Sequence, residues 1–370
     1  MFTKRTFVHS INSKHKEERN MTSYEQYQPA TNQQHGYRPE LIREDFVDFI
    51  AEKINPVWAW KKVKATVVKT RALSPDFYQI QLRPNRNFKH QQFKAGQSIF
   101  VTVEIAGVRQ QRSYSVVKFL ANGDVIIAVK QQGKVSKVLS QLAFGKIVEL
   151  SQPQGDFVLN QDATPILLIA SGSGITAIYS LLLEALKDTS RSIDLIYFSR
   201  DDAFHADLEQ LAQQHDQFNY HAINTMKNKQ HLTVELLESL VADFQTRQSY
   251  ACGASAMMQS LNQIFQDLKI TQQLKQEYFQ VTVDESLVAQ PVVFLRSQQA
   301  FEAKSNLLES AEQAGLKPTH GCRMGICNTC TCTKVSGSTK NVLTGEIDHA
   351  SNTQIKLCIS QAVSPVTINL

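Results

Sequence analysis

The pattern of hydrophobic and polar positions divides the chain into stretches of different period. Residues 1–40 carry no periodicity and are expected to be a disordered lead, with Met21 an alternative start. Leu41, Ile42, Phe46, Phe49, Ile50 and Ile54 then recur at the spacing of one helix face, and Pro56 closes that helix. From Val63 to about Phe157 the period shortens to alternation. Strands are expected at 65–69, 77–82, 98–104, 113–117, 125–129 and 147–150, separated by turn signals such as Asn122-Gly123-Asp124. Short alternating strands of this density predict a small antiparallel barrel.

Between residues 164 and 269 strands alternate with helices. Strands at 166–170, 193–198, 220–223 and 249–252 are separated by a helix running to Leu186 and by helices near Leu208 and Leu236. That order predicts a parallel sheet with crossover helices. The last stretch reads as a hairpin at 278–283 and 292–295, a helix at 305–314, then a Cys-rich loop and further strands. The expected plan is a lead at 1–40, a helix and linker at 41–62, a barrel at 63–158, an α/β domain at 159–272 and a C-terminal domain at 273–370.

A chain of 370 residues fits this multidomain plan, being too long for one ordinary core. The net charge of +5 comes without a Lys/Arg block or basic-aromatic array, so nucleic acid is not an expected partner. No window reaches about 18 unbroken apolar residues, so no helical membrane span is expected. The first 35 residues lack the apolar core of a signal peptide, and a cytoplasmic location is expected.

The cysteines change the picture most. Five of the six fall in the last fifty residues, and without an export signal such clustering favours metal ligation over disulfides. Cys322, Cys327 and Cys330, followed later by Cys358, form C-x4-C-x2-C…C, the plant-type [2Fe-2S] spacing. Gly321 and Gly325 allow the loop to wrap the cluster with its backbone N–H groups aimed at sulfur. A zinc site, the bland alternative, usually shows two paired C-x2-C knuckles, and only one pair is present. Cys332 is expected to be a small buried hydrophobe.

Three further groups carry candidate chemistry. Arg112-Ser113-Tyr114-Ser115 lies on a barrel strand and offers a cation for a pyrophosphate, a ring to stack and a hydroxyl donor, which suits a flavin. Gly133-Lys134-Val135-Ser136 opens a helix; it is either a phosphate site or simply a Gly- or Ser-capped start. Gly172, Ser173, Gly174, Ile175 and Thr176 join a buried strand to a helix, where a nucleotide pyrophosphate can approach the backbone. Cys252 and Gly253 end another sheet strand, at the edge where open α/β sheets place ligands, although a lone cysteine there also suits a core.

Together these motifs resemble the ferredoxin–NADP reductase superfamily over roughly residues 63–370, in the order flavin barrel, nicotinamide domain, plant-type ferredoxin. The resemblance implies an α+β β-grasp fold for the C-terminal domain, FAD at Arg112, Tyr114, Ser115 and Ser136, and the nicotinamide dinucleotide at Gly172, Gly174 and Thr176. Cys252 and Gly253 match the family's C-G-x motif beside the nicotinamide ring, which makes Ser115 and Cys252 the catalytic candidates. Ala177 and Ala254 stand where the family usually has proline. After the second sheet strand, Ser199 and Arg200 suit a 2′-phosphate whereas Asp201 or Asp202 suit a free ribose hydroxyl; NADPH is expected, with NADH the alternative.

The implied activity is transfer of a hydride from the coenzyme to FAD and of single electrons to the cluster and a separate acceptor protein. The helix at 41–54, Asn55-Pro56-Val57-Trp58-Ala59-Trp60 and the Gly321–Cys327 loop look like the branch that serves membrane fatty-acyl desaturases or hydroxylases. A Rieske-type oxygenase is the alternative acceptor, and a cluster-bearing redox sensor an alternative of another class. Trp58 and Trp60, followed by Lys61, Lys62 and Lys64, either touch the inner face of a membrane peripherally or pack onto the barrel.

Overall fold

The computed structural model describes residues 44–160, 164–227, 230–279 and 281–370; the expected lead at 1–40 and the first helical positions Leu41 and Ile42 lie outside them. Among the described residues no helix is long and apolar enough to cross a membrane.

Helix α1 (Glu44–Ile54) docks through its polar side. Asp48 is buried and accepts the Trp60 N–H at 2.7 Å, Lys62 lies 3.4 Å from the same carboxylate, and Glu52 pairs with Lys64. Its apolar residues Phe46, Phe49, Ile50 and Ile54 remain exposed, as do Trp58 and Trp60 at 54% and 50%. Packing of the tryptophans into the barrel is therefore overturned: polar anchors take the inner side.

Six antiparallel strands close the barrel: β1 (Val63–Ser74), β2 (Phe77–Pro84), β3 (Ser98–Ile105), β4 (Val108–Phe119), β5 (Val125–Lys130) and β6 (Ile147–Leu150), in the order β1-β2-β5-β4-β3-β6. Ala106 and Gly107 both take positive φ (50° and 76°), the geometry that lets a two-residue turn join twisted strands. Helix α2 (Lys134–Ser140) seals the barrel with Val135 and Leu139.

Next comes a parallel sheet of order β11-β10-β7-β8-β9. It contains β7 (Ile166–Ser171), α3 (Ile175–Ala185), β8 (Ile193–Ser199), α4 (His205–Gln214), β9 (Phe218–Asn224), α5 (Val234–Leu240), β10 (Gln248–Gly253), α6 (Ser255–Asp267) and β11 (Leu274–Tyr278). The chain winds outward in one direction from β7 to β9 and in the other from β10 to β11. The strand order thus reverses between β7 and β10, where such sheets open a ligand crevice.

The expected hairpin of 278–283 with 292–295 is not formed. Tyr278 instead ends β11, which pairs in parallel with β10 through Cys252 and Glu277. The hairpin is β12 (Gln290–Phe294) with β13 (Gln299–Ala303). It opens a mixed sheet of order β13-β12-β19-β14-β17, with α7 (Leu307–Gln313), β14 (Thr331–Ser336), β17 (Thr353–Lys356) and β19 (Val366–Asn369), while β15 (Thr339–Asn341), β16 (Ile347–Asp348) and β18 (Ser360–Ala362) form a second, small sheet of order β16-β15-β18. Leu307, Leu308 and Ala311 of α7 and the buried Cys332 fill its core, as expected for Cys332. Barrel, parallel sheet and C-terminal α+β unit match the multidomain fold class read from the sequence.

Candidate functional site

A cavity of about 400 Å³ opens where β4 faces α2. Arg112, Ser113, Tyr114 and Ser115 line it from β4, Lys134, Val135 and Ser136 from α2, and Ser173 and Thr176 reach in from the parallel sheet. Two flavin groups and part of the nicotinamide group thus converge, although some sixty residues separate β4 from Ser173.

Ser115 decides what the cavity fits. Its side chain is buried and its Oγ has no hydrogen-bond partner. A buried hydroxyl left unpaired in a cavity wall is costly unless a ligand completes it, and the polar edge of a flavin ring would. Burial raises the Tyr114 phenol well above its usual range, so the ring stays neutral. Arg112 is exposed at the mouth, where a cation can meet a pyrophosphate. Ser136 is less available: its Oγ accepts the N–H groups of Gln132 and Gly133 and donates to the Gly133 carbonyl. It shapes the turn before α2, and Lys134 remains as the cation there.

At the switch point two loops meet too closely for side chains. A Cβ on Gly174 would lie 2.0 Å from the Cys252 carbonyl oxygen, and one on Gly253 2.7 Å from Ser171 Cβ. Gly172 takes φ +53° with nothing near its Cβ position, which leaves the turn open for a ligand backbone approach. Thr176 Oγ1 donates to the Ser173 carbonyl and fixes the turn.

Three expected coenzyme residues point elsewhere. Ile175 and Cys252 are fully buried in the core shared by the sheet and α3. Burial first, then the Glu277 charge, raises the Cys252 thiol, so it is an unionised core group outside the cavity lining and not an open catalytic residue. Ser199 is buried with its Oγ 2.7 Å from His205 Nε2. Arg200 is exposed beyond it. Asp201, the ribose alternative, pairs with Lys130 of the barrel at 2.7 Å and accepts the Ala203 N–H.

The Cys-rich loop brings the four expected thiols together. Cys322, Cys327, Cys330 and Cys358 are all buried, and Cys330 Sγ lies 3.3 Å from Cys358 Sγ. The N–H groups of Met324 and Cys327 donate to Cys322 Sγ, and that of Cys322 to Cys327 Sγ. Hydrogen bonds from the Cys327 and Cys358 thiols, then these backbone donors, hold Cys322 far below the usual thiol range. A Cβ on Gly321 would come within 2.9 Å of Cys327 Sγ. Four buried thiols with backbone N–H groups already aimed at sulfur fit the donor set that a two-iron cluster takes.

Comparison with known proteins finds three family matches along the chain. Residues 64–159 match an oxidoreductase FAD-binding domain, 168–263 an oxidoreductase NAD-binding domain and 293–362 a 2Fe-2S iron-sulfur cluster binding domain. The protein is an NAD(P)H-dependent electron-transfer oxidoreductase. Its cofactors are FAD, NAD(P)H and a [2Fe-2S] cluster. The reductase is 27% identical to an NADPH oxidoreductase of Mycobacterium tuberculosis over 89% of each chain. It is 28% identical to the tetrachlorobenzoquinone reductase of Sphingobium chlorophenolicum, over 84% of this chain and 98% of that one. Phthalate dioxygenase reductase, solved as a modular structure for electron transfer from pyridine nucleotides to [2Fe-2S], shares its fold at a TM-score of 0.57 and 23% identity, with 84% and 98% of the two chains covered.

Among the residues that sequence reasoning missed, Lys130, Phe279 and Met324 line the cavity, and Glu277 lies buried beside Cys252. Phe279 directly follows β11 and Met324 comes from the cluster loop, and no local motif marks either. Only the apolar Phe279 directly after a polar strand hinted at a buried position.

Proposed function

We propose that the reductase draws electrons from NADPH and delivers them singly to a separate oxygen-activating acceptor protein, with a membrane desaturase or hydroxylase of fatty-acyl chains favoured. Bound FAD would take a hydride and release electrons one at a time, and the cluster would carry them onward. Ser115 Oγ would donate to a bound flavin, Tyr114 would offer it a ring face, Arg112 and Lys134 would neutralise its pyrophosphate, and Ser113 and Val135 would complete the wall. Gly172, Ser173, Gly174 and Thr176 receive the coenzyme pyrophosphate beside Gly253. The observation that carries this assignment is the single cavity walled by barrel, parallel sheet and cluster loop together.

For the coenzyme, Arg200 is the free-standing cation of its loop while Asp201 is engaged by Lys130. Arg200→Ala is expected to raise KM for NADPH about tenfold or more and KM for NADH little, since a charge-assisted contact contributes roughly 1.5–3 kcal/mol. Equal effects on both coenzymes would remove Arg200 from the 2′-phosphate site.

The membrane acceptor is supported by the outward-facing Phe46, Phe49, Ile50, Ile54, Trp58 and Trp60, an apolar surface with Lys53 and Lys61 at its border. Such a surface is unusual on a protein without a partner. The likeness to phthalate dioxygenase reductase supports the second reading, a soluble Rieske-type oxygenase. NADPH-driven reduction assayed against desaturase-containing membranes and against a Rieske oxygenase separates them. Trp58→Ala with Trp60→Ala should release the protein from anionic liposomes and slow only the membrane acceptor; unchanged sedimentation would remove the membrane reading.

A further inference from the structure

We propose that Met324 is the side chain that couples the flavin cavity to the iron–sulfur site, and that the Arg323–Glu312 ion pair positions it. The proposal rests on the flavin and cluster reading above and is independent of which acceptor is served.

Met324 belongs to both sites at once. Its side chain lines the cavity that Tyr114 and Ser115 line, while its backbone N–H donates to Cys322 Sγ at 3.4 Å. With Phe100 of β3, Cys322 and Cys327 it forms a small apolar nucleus between barrel and cluster loop. Methionine suits such a gap, being unbranched and polarizable.

The backbone around Met324 is bent against its own preference. Arg323 takes φ +60°, which a residue with a Cβ rarely adopts, and Gly325 takes φ +77°. Wrapping the cluster could be left to the glycines; a strained arginine needs something to hold it. The restraint comes from outside the loop. The Arg323 guanidinium donates to both Glu312 carboxylate oxygens, at 2.8 and 2.5 Å, and approaches His320 Nε2 at 2.8 Å. Glu312 sits on α7, and from β17 Lys356 Nζ donates to the Gly325 carbonyl. The tripeptide is thus pinned on both sides of Met324 by two elements of the C-terminal unit. A two-pronged arginine–carboxylate pair fixes orientation as well as distance.

In the step concerned, one electron is lost by reduced FAD and gained by the oxidised cluster. The second stays on the flavin until a one-electron acceptor has taken the first. The hydride's proton leaves the flavin to solvent on reoxidation, and no bond to Met324 forms or breaks. Met324 therefore acts by filling and fixing the space between the two centres.

The test uses the full holoprotein with Met324→Ala, the shape-preserving Met324→Leu, and Glu312→Gln. After rapid mixing with NADPH, flavin reduction and cluster reduction are followed separately by absorbance and by freeze-quenched EPR; FAD and iron content are measured on the same samples. In Met324→Ala the rate of cluster reduction relative to flavin reduction is expected to fall about tenfold or more, because misplacement by about 1 Å can cost on the order of a hundredfold. The FAD dissociation constant should rise as well, since a cavity wall is lost. Met324→Leu should stay within a few-fold of the parent. Glu312→Gln, which touches neither cofactor, should show a smaller fall with unchanged iron. An unchanged ratio in Met324→Ala with FAD and iron intact overturns the proposal. So does a fall that tracks loss of iron in all three variants, because the loop would then only be holding the cluster. Absence of FAD or iron from the parent protein would instead overturn the cofactor reading.

Discussion

Cys358→Ser is expected to abolish the cluster's absorbance and EPR signals while NADPH-driven reduction of ferricyanide continues. Cys358 is the proposed ligand from outside the loop, on the Leu357–Ile359 turn after β17, with its Sγ 3.3 Å from Cys330 Sγ. Removing one of four thiolates leaves an iron with an incomplete set, and serine is a harder, poorer ligand for it. Disturbing even the outer partners of metal ligands costs about 10–100-fold, so transfer to one-electron protein acceptors should fall by at least that factor. The flavin cavity is built chiefly from β4, β5 and α2, and hydride acceptance there needs no thiolate. The C-terminal unit should also melt earlier, because cluster binding contributes to its folding. If the variant keeps its FAD yet loses ferricyanide reduction, electrons do not enter at the flavin and the proposed order is wrong.

What the sequence disclosed depended on whether the signal was local. The barrel strands alternate cleanly and turn residues precede them (Pro75-Asp76, Gly96, Asn122-Gly123 and Gly145), so expected strand starts at 77, 98, 125 and 147 coincide with those observed, whereas β4 begins at Val108 and not at 113. That the four thiols would meet was legible because plant-type spacing is itself a local constraint. β11 was not, since Leu274-Lys-Gln-Glu-Tyr278 reads as a polar segment, yet its Glu277 is driven inside by pairing with β10. The same limit explains Cys252, Ile175 and Ser199, each correctly placed at the end of a sheet strand or the start of its helix. Which way a side chain points there is set by packing between elements: α3 covers Cys252 and turns its own Ile175 into the shared core, and His205 of α4 takes the Ser199 hydroxyl. Met324 carries no local signal, because its reach into the cavity beside Tyr114 depends on two units packing together.

Glu277→Gln is expected to stabilise the reductase at alkaline pH and to leave it nearly unchanged near pH 4. Glu277 is 4% exposed, faces Cys252 across the β10–β11 pairing, and its Oε2 has no partner. Desolvation, with a smaller contribution from the charge at Cys322, pushes its carboxyl up to about 8. In the unfolded chain the same group titrates near about 4.3. Between those values the native state holds a proton that the unfolded chain has released, so the unfolded chain binds fewer protons and stability falls as pH rises. The loss begins near the unfolded pKa and is complete above the folded one. At about 1.36 kcal/mol per pH unit it amounts to a few kcal/mol. Glutamine has the same shape and cannot ionise, so this component of the slope disappears. Its amide meets the same unpaired surroundings as the neutral acid, which keeps the two proteins close in stability where Glu277 is protonated anyway. Denaturant unfolding of holoprotein at intervals from pH 5 to 9 measures the difference. The two curves should diverge steadily above pH 5 with the variant the more stable; parallel curves would show that Glu277 carries its charge in the folded protein.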